Sequence, residues 1–229
     1  MVWCVAGFAA GSIPFALLIG RTHGIDIREH GSGNVGATNL GRVLGGRYFA
    51  LCFTLDLSKG LAPTLSYGLV GGLVPLPAER WIETASWLLV MVCPVLGHMF
   101  SPLVGFKGGK GVATGLGGLL GVFPLLTLPG LAAAALWGLG VKTTRYVGLS
   151  SSLAAASLPA WAAVFVWLLD RSWATDWPAV AVCAVLGALV CVKHRGNLGR
   201  TLAGTEPRVG ETKASRSDAP SGNAAAKDV

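Results

Sequence analysis

Charged side chains are scarce in this sequence. They make up 13% of the 229 residues, whereas 52% of the residues are hydrophobic and the mean hydropathy is +0.61. Soluble domains carry roughly a quarter charged residues, so a protein whose whole surface meets water is excluded. The composition predicts an integral membrane protein that crosses the bilayer several times. The 33 glycines fit helices that pack closely through small residues.

Several familiar catalytic patterns are also missing. The five cysteines stand singly in apolar runs, so there is no paired metal or redox spacing and no structural disulfide is predicted. No histidine is followed five positions later by aspartate, which excludes the His–Asp general-base dyad of soluble-type acyltransferases. A Gly-x-Ser-x-Gly nucleophile turn is absent as well. We therefore expect neither a metal nor a cofactor.

Apolar runs divide the chain, and one crossing needs about 20 mostly apolar residues. The runs are residues 2–20, 48–74, 81–100, 111–141, 146–169 and 173–192. As a single helix, residues 111–141 would be about 46 Å long, too long for a bilayer core of about 30 Å. Pro124, Pro129 and Gly130 interrupt this run, and basic residues flank both of its ends. We expect it to cross twice or to dip in and return, and two crossings give an all-α fold with seven transmembrane helices.

The distribution of lysine and arginine sets the predicted orientation. With the N-terminus outside, the basic residues gather on the cytoplasmic side, and the outer loops hold only Arg80 and Arg171. The first run lacks a basic start and a clear cleavage site, so it is predicted to be a retained helix. Residues 1–204 are predicted to form a single transmembrane domain. Residues 205–229, rich in small and polar side chains, are predicted to be a disordered cytoplasmic tail.

Three polar segments on the predicted cytoplasmic side are candidates for binding an anion. The first loop, residues 21–47, has glycines at positions 31, 33, 36 and 41. Glycine lets backbone N–H groups converge on an anion, and hydroxyl, amide and guanidinium groups add donors. The alternative is a flexible connecting loop with ordinary positive-inside charge. The polar side chains of this loop are Ser32, Asn34, Thr38, Asn39 and Arg42.

The second segment contains Phe-Lys-Gly-Gly-Lys-Gly at residues 106–111, which invites comparison with a nucleotide-binding P-loop. Val104 stands where a P-loop requires glycine, and Gly111 stands where it requires the hydroxyl that binds magnesium. A nucleotide P-loop is therefore excluded. Lys107 and Lys110 could act as point charges for a different phosphate, or could simply anchor the chain at the membrane edge.

The third segment, residues 193–200, closes the last apolar run. His194 could relay a proton and Asn197 could donate to an oxygen, although a histidine beside two cations at a helix end is equally consistent with a cap. Within the second apolar run, Asp56 and Lys59 lie three positions apart. Ionisable groups inside a bilayer are expected to partner one another, so we predict that this pair supports the site rather than reacting.

Seven short motifs follow one another along the chain. They are Gly-Ser-Ile-Pro-Phe at 11–15, the glycine-rich stretch 31–42, Asp-Leu-Ser-Lys-Gly at 56–60, Gly-His-Met-Phe at 97–100, residues 106–114, Thr-Arg-Tyr-Val at 144–147, and His-Arg-Gly-Asn-Leu-Gly-Arg at 194–200. Together they resemble the bacterial PlsY family, the acyl-phosphate-dependent glycerol-3-phosphate acyltransferases. The resemblance covers roughly residues 1–206, and seven ordered motifs are far more specific than one glycine pattern.

This resemblance implies seven transmembrane helices, with the N-terminus outside and the C-terminus cytoplasmic. It also implies transfer of a fatty acyl group from acyl-phosphate to the sn-1 hydroxyl of glycerol 3-phosphate, which makes lysophosphatidic acid for phospholipid biosynthesis. The expected partners are these two substrates and membrane lipids, with a possible transient contact to the enzyme that produces acyl-phosphate, and no nucleic acid. The expected location is the bacterial cytoplasmic membrane, with the active site facing the cytoplasm.

Matching the motifs position by position assigns the site that the resemblance implies. Catalytic roles fall on Ser32, Arg42, Lys107, Lys110 and His194. Substrate-binding roles fall on Gly33, Asn34, Gly36, Thr38, Asn39, Gly108, Gly109 and Asn197. Supporting roles fall on Asp56, Lys59 and Ser150. The family usually has a serine where this chain has Gly148, and either a nearby serine (Ser150 or Ser151) compensates or the hydroxyl is dispensable.

A transporter of a phosphorylated metabolite is the rival function, since it would bind the same kind of anion. Transporters often carry inverted repeats and a site at the bilayer midplane. No repeat is visible here, and the polar segments gather at one face, which disfavours transport. A purely structural membrane scaffold would leave the three phosphate-friendly segments unexplained.

Overall fold

The structure, a computed structural model, describes residues 1–74 and 81–211. Every regular element in these two ranges is helical, as the composition predicts. The helices are α1 (Val2–Ser12), α2 (Phe15–Thr22), α3 (Ala37–Leu44), α4 (Gly46–Val70), α5 (Trp81–Met99), α6 (Val112–Gly121), α7 (Thr127–Thr144), α8 (Val147–Leu168) and α9 (Trp173–Leu202). Arg80, which entered the orientation argument, lies outside the described residues.

The first apolar run forms two helices instead of one. α1 ends at Ser12 and α2 begins at Phe15, with Ile13 and Pro14 between them. Pro14 has no backbone N–H and fixes its own φ, so the helical hydrogen-bond ladder does not continue through it. The combined segment Val2–Thr22 is long and apolar enough to cross a membrane. The predicted span is therefore present but interrupted.

The long run over residues 111–141 also divides, as its prolines predict. α6 and α7 are separated by residues 122–126, which include Pro124. α6 has only ten residues and is about 15 Å long, half of a bilayer core of about 30 Å. The predicted break is confirmed. It places the start of α6 and the end of α7 on the same side of the bundle.

Four segments of the described chain are long and apolar enough to cross a membrane: Val2–Thr22, Trp81–Val104, Val147–Leu168 and Trp173–Leu202. α4 is also long, at 25 residues, but it buries Asp56 and Lys59 within its length. On the outward faces, Leu89, Leu153 and Val185 are 59%, 51% and 60% exposed. Exposed apolar faces of this kind are expected where helices meet lipid.

Helices α4 and α6 pack through two glycines. A Cβ on Gly60 would lie 2.1 Å from the Thr114 carbonyl oxygen, and a Cβ on Gly117 would lie 2.0 Å from the Leu57 carbonyl oxygen. Only glycine allows backbones to approach this closely. The contact brings Asp56, one turn before Gly60, beside the segment that leads into α6.

After α9 the chain turns back over the end of the bundle. Gly204 has φ +68°, and the Val209 N–H donates to the Arg145 carbonyl oxygen at 2.9 Å. Glu206 in this returning segment is 2% exposed. Contacts with the helical bundle thus continue beyond residue 204, through Glu206 and Val209. The tail prediction for residues 212–229 lies outside the described residues.

Candidate active site

One pocket gathers the three polar segments that the sequence singled out. It opens at the end of the bundle where α3, α6 and α8 begin and where α9 approaches its last turns. Most of the predicted site residues line it: Ser32, Asn34, Gly36, Thr38, Asn39, Arg42, Asp56, Lys110, His194 and Asn197. Among the residues that the structure describes, its lining does not include the predicted Gly33, Lys59, Lys107, Gly108, Gly109 and Ser150.

Asn39 shapes the first loop. Its Oδ1 accepts from the Ser32 backbone N–H at 2.8 Å, and its Nδ2 donates to the carbonyl oxygens of Ile27 and His30 at 3.1 and 3.0 Å. The two amide protons are thus used within the loop, and the side chain is almost fully buried. Asn39 therefore holds the loop that presents Ser32 to the pocket, and its predicted contact with substrate stays a prediction.

Arg42 and Asn197 meet on one carboxylate, which the sequence reasoning did not identify. Glu206 Oε1 accepts from Arg42 Nη2 at 3.2 Å and from Asn197 Nδ2 at 2.7 Å. Glu206 Oε2 accepts from Arg200 Nε at 2.7 Å. Burial by itself would raise the pKa of Glu206, but the hydrogen bonds from Asn197, Arg200 and Arg42 outweigh it, so the pKa is lowered. A buried, ionised Glu206 fixes two cations and one amide around the pocket.

Lys110 completes this group. Its Nζ donates to Asn197 Oδ1, which joins the second polar segment to the third. Burial lowers the pKa of Lys110 to about 8; the nearby Glu206 opposes the shift, and the cations Arg200 and Arg42 add to it. A lysine in this state remains cationic at neutral pH and is poorly hydrated, which suits it to bind a phosphate oxygen.

The glycine-rich segment rests on the end of α5. The Gly109 N–H donates to the His98 carbonyl oxygen at 3.0 Å. A Cβ on Gly108 would lie 2.0 Å from that oxygen, and a Cβ on Gly109 would lie 2.2 Å from His98 Nε2. These two glycines therefore allow a close approach to His98 directly before Lys110, and the substrate-binding role predicted for them stays a prediction. Lys107 is exposed and does not belong to the pocket lining.

The predicted ion pair in α4 is formed. Lys59 Nζ lies 2.8 Å from Asp56 Oδ1, and both side chains are 3% exposed. Lys59 also donates to the Ile13 carbonyl oxygen at 2.7 Å, at the break between α1 and α2. His98 Nδ1 lies 3.7 Å from the same Asp56 oxygen. The Asp56–Lys59 pair thus connects the break between α1 and α2 to His98, against which the glycine-rich segment packs.

His194 is oriented for accepting a proton. Its Nδ1 lies 2.8 Å from the Val190 carbonyl oxygen, and because a carbonyl only accepts, Nδ1 carries the ring proton. Nε2 is then the free acceptor, and the side chain belongs to the pocket lining. The Val190 carbonyl thus selects the tautomer and leaves Nε2 available to accept a proton.

The structure distinguishes the two serines near Gly148. Ser150 Oγ donates to the Tyr146 carbonyl oxygen at 2.9 Å and lies outside the pocket lining. Ser151 Oγ accepts from Trp137 Nε1 at 3.1 Å and lies in the lining. A Cβ on Gly148 would lie 2.5 Å from Asn197 Cβ, so in this chain Asn197 fills the space of the family's usual serine. Of the two serines, Ser151 is the one that lines the pocket, and the supporting role predicted for Ser150 stays a prediction.

Taken together, an apolar helical bundle with a donor-lined, cationic pocket at one end is typical of a membrane protein that binds an anion. Comparisons with known proteins specify it further. The sequence model of the family described as glycerol-3-phosphate acyltransferase matches residues 1–204. A glycerol-3-phosphate acyltransferase of Trichlorobacter lovleyi is 39% identical over 209 residues, which cover 91% of this chain and 96% of that protein. One from Aquifex aeolicus is 38% identical over 209 residues, with coverages of 89% and 96%.

A solved structure agrees with the sequence relatives. It is a crystal structure of PlsY (YgiH), an integral membrane glycerol 3-phosphate acyltransferase, in its glycerol 3-phosphate form. It superimposes with a TM-score of 0.74 at 35% identity, over 91% of this chain and 94% of that one. A second structure of PlsY, in the lysophosphatidic acid form, gives a TM-score of 0.71 at 34% identity over 90% of this chain and 93% of that one. The chain therefore belongs to the PlsY family of integral membrane glycerol-3-phosphate acyltransferases, as the motifs predict.

Proposed function

We propose that this protein transfers a fatty acyl group from acyl-phosphate to the sn-1 hydroxyl of glycerol 3-phosphate and releases lysophosphatidic acid and inorganic phosphate. The observation that carries the proposal is the convergence of Arg42, Lys110, His194 and Asn197 on one pocket. Each substrate has a phosphate group, and two like-charged reactants approach each other only where fixed cations and donors offset their repulsion.

The binding roles follow from charge and position. Arg42 and Lys110 hold phosphate oxygens, with the hydroxyls of Ser32 and Thr38 as further donors from the first loop. Asn197 and His194 place glycerol 3-phosphate against the acyl carbonyl carbon. Glu206 fixes Arg42 directly and fixes Lys110 through Asn197, so both cations need little reorganisation when an anion enters, and preorganised donors of this kind stabilise developing charge.

The chemical step is a substitution at the acyl carbonyl carbon. The sn-1 oxygen of glycerol 3-phosphate forms the new C–O bond, the bond between the acyl carbon and the phosphate oxygen breaks, and phosphate leaves with the bonding electrons. Phosphate is a good leaving group and needs little help from an acid. The hydroxyl proton passes to a substrate phosphate oxygen or to His194 Nε2, the best-placed protein base.

The acyl chain lies between helices in this proposal. An apolar cavity shares Phe53, Val112, Trp137 and Ser151 with the polar pocket and continues between α6, α7, α8 and α9. Joined polar and apolar compartments match a donor that has an anionic head and a hydrocarbon tail. Acyl-phosphate presents both parts without a nucleotide.

The proposed topology is seven crossings, with the N-terminus outside and the C-terminus in the cytoplasm of a bacterial inner membrane. Its support is the positive-inside bias of the loops, because Arg42, Lys110, Arg145 and Arg200 all gather at the pocket end of the bundle. With this topology the site faces the cytoplasm, where glycerol 3-phosphate is soluble and the enzyme that forms acyl-phosphate could dock.

Donor competition tests the proposal. The purified protein is incubated in detergent with glycerol 3-phosphate and either palmitoyl-phosphate or palmitoyl-CoA, and lysophosphatidic acid is quantified. We expect product from palmitoyl-phosphate and none from palmitoyl-CoA. Product from palmitoyl-CoA alone would refute the proposed donor, and product with the acyl group on the sn-2 oxygen would refute the proposed acceptor atom.

A further inference from the structure

One pocket residue received no role from the motif comparison. His98 lines the pocket, and it is the second-last residue of α5. Its side chain is 8% exposed. A buried histidine beside a substrate pocket either touches the substrate or supports a residue that does. The contacts of its ring distinguish these two roles.

The ring of His98 lies between α4 and the glycine-rich segment. On one edge, its Nδ1 is 3.7 Å from Asp56 Oδ1, and Lys59 Nζ is 2.8 Å from the same oxygen. On the other edge, a Cβ on Gly109 would lie 2.2 Å from Nε2 and 2.8 Å from Cε1. The Nε2 edge therefore meets the Gly109 backbone, and the ring is a spacer between this backbone and Asp56.

The last two residues of α5 support the backbone on both sides of Lys110. Before it, the Gly109 N–H donates to the His98 carbonyl oxygen at 3.0 Å. After it, Gly111 has φ +78°, and a Cβ there would lie 2.5 Å from Met99 Cε. The position from which the Lys110 side chain reaches the pocket is thus set by the end of α5.

We propose that His98 is a positioning residue, whose ring holds the Gly109 backbone at the place that Lys110 needs to meet its partners in the pocket. Asp56 fixes the ring from the other side, so the ion pair in α4 acts on the pocket through His98. A displacement of about 1 Å can cost about a hundredfold in rate, so such a spacer matters to a cation that binds a reactant. The effect on rate rests on the proposed function, whereas the placement of Lys110 does not.

Two substitutions separate the two edges of the ring. His98→Asn puts an amide near the place of Nδ1, facing Asp56, and removes the edge that meets Gly109. His98→Gln reaches the place of Nε2 and keeps that edge filled. His23→Gln is the control, because His23 is an exposed histidine directly after α2. His98→Ala takes the place of His98→Asn if the latter is not monodisperse by size exclusion.

The chemical reactivity of Lys110 reports its placement without any turnover. The purified protein in detergent is treated with trace acetic anhydride at pH 7 to 11, and acetylation of Lys110 and of the exposed Lys142 is quantified by mass spectrometry. Acetic anhydride reacts with the uncharged amine, so the profile follows the pKa of Lys110, which burial lowers to about 8. The variants leave unchanged the titratable groups that face this lysine: Glu206, Arg200, Arg42 and His194.

We expect His98→Asn to loosen the segment and hydrate Lys110, so the midpoint of its acetylation profile should rise by about one pH unit toward the ordinary lysine pKa of 10.5. His98→Gln and His23→Gln should keep the wild-type midpoint, and acetylation of Lys142 should be the same throughout. A Lys110 profile that His98→Asn leaves unchanged or shifts downward would overturn the inference, and so would an equal rise in His98→Gln.

Kinetics give the consequence for the proposed reaction. With palmitoyl-phosphate and glycerol 3-phosphate, kcat/KM should fall about tenfold or more in His98→Asn, and His98→Gln should recover most of this loss. A fall in kcat/KM without a change at Lys110 would overturn the inference. If the wild-type protein makes no product while the Lys110 shift is found, the proposed function fails and the placement of Lys110 by His98 stands.

Discussion

The depressed pKa of Lys110 predicts how activity responds to alkaline pH. An ordinary lysine titrates at 10.5, but burial, with the Arg200 and Arg42 charges, lowers the pKa of Lys110 to about 8 although Glu206 opposes the shift. If the cationic form binds phosphate, activity requires the protonated lysine. The active form then predominates at pH 7, is half lost near pH 8 and is lost further as pH rises. Above it, kcat/KM should fall about tenfold per pH unit.

The assay is kcat/KM for glycerol 3-phosphate from pH 6.5 to 9.5, with the nonenzymatic hydrolysis of acyl-phosphate subtracted at each pH. The second phosphate ionisation has a pKa of about 6, so the substrate charge is nearly constant above pH 7. The kcat/KM profile reports groups of the free enzyme, so bound substrate does not mask the lysine.

Lys110→Arg is the decisive variant for this prediction. Arginine keeps its proton throughout the range, so the alkaline fall should disappear even if the absolute rate is reduced by the different shape of the guanidinium. A wild-type profile that stays flat to pH 9.5 would refute the reasoning. A fall at pH 8 that persists in Lys110→Arg would assign the titration to another group.

Three further predictions concern the surroundings of the site. Glu206→Gln removes the negative charge that opposes the lowering of the Lys110 pKa, so the alkaline fall in kcat/KM should move to lower pH. At pH 7, kcat/KM should drop about tenfold, since a charged hydrogen bond is worth about 1.5–3 kcal/mol. An unchanged pH profile of kcat/KM would contradict this prediction. Asp56→Asn leaves Lys59 buried without its carboxylate and should destabilise the protein by about 3–5 kcal/mol in thermal unfolding. The exposed Asp170→Asn is the control, and stability should recover in the double variant Asp56→Asn/Lys59→Met. Gly148→Ser crowds Asn197 and should cost about 1–3 kcal/mol of stability and lower kcat/KM; unchanged melting and activity would show that α8 and α9 separate without cost.

Much of the fold follows from local chemistry in the sequence. The break between α6 and α7 was predictable for two reasons. Pro124 interrupts the helical hydrogen bonds, and basic residues at both ends of the run place both ends on the same side of the membrane. The pairing of Asp56 and Lys59 was predictable from their spacing along one helix face. The break between α1 and α2 was missed although Pro14 was visible, since the apolar run on either side conceals it.

The parts of the site that were missed depend on tertiary contacts. Glu206 follows the last helix in a segment of small and polar residues, a composition typical of a disordered tail, and only the turn at Gly204 brings it to Arg42 and Asn197. The choice between Ser150 and Ser151 depends on the rotation of α8, which an apolar helix does not reveal in its sequence. His98 packs against the glycine-rich segment at Gly109 with both its backbone and its ring. Apart from the glycines themselves, nothing in the sequence indicates this contact.

The central claim is that three segments, distant in sequence, bind the two anionic reactants in one pocket. The most direct measurement is turnover of palmitoyl-phosphate and glycerol 3-phosphate by Arg42→Ala and Lys110→Ala, beside Arg47→Ala and Lys142→Ala as exposed basic controls on neighbouring helices. We predict that both pocket variants lose turnover while they remain inserted, helical and monodisperse, and that both controls stay active. Near-normal turnover in both pocket variants would contradict the claim.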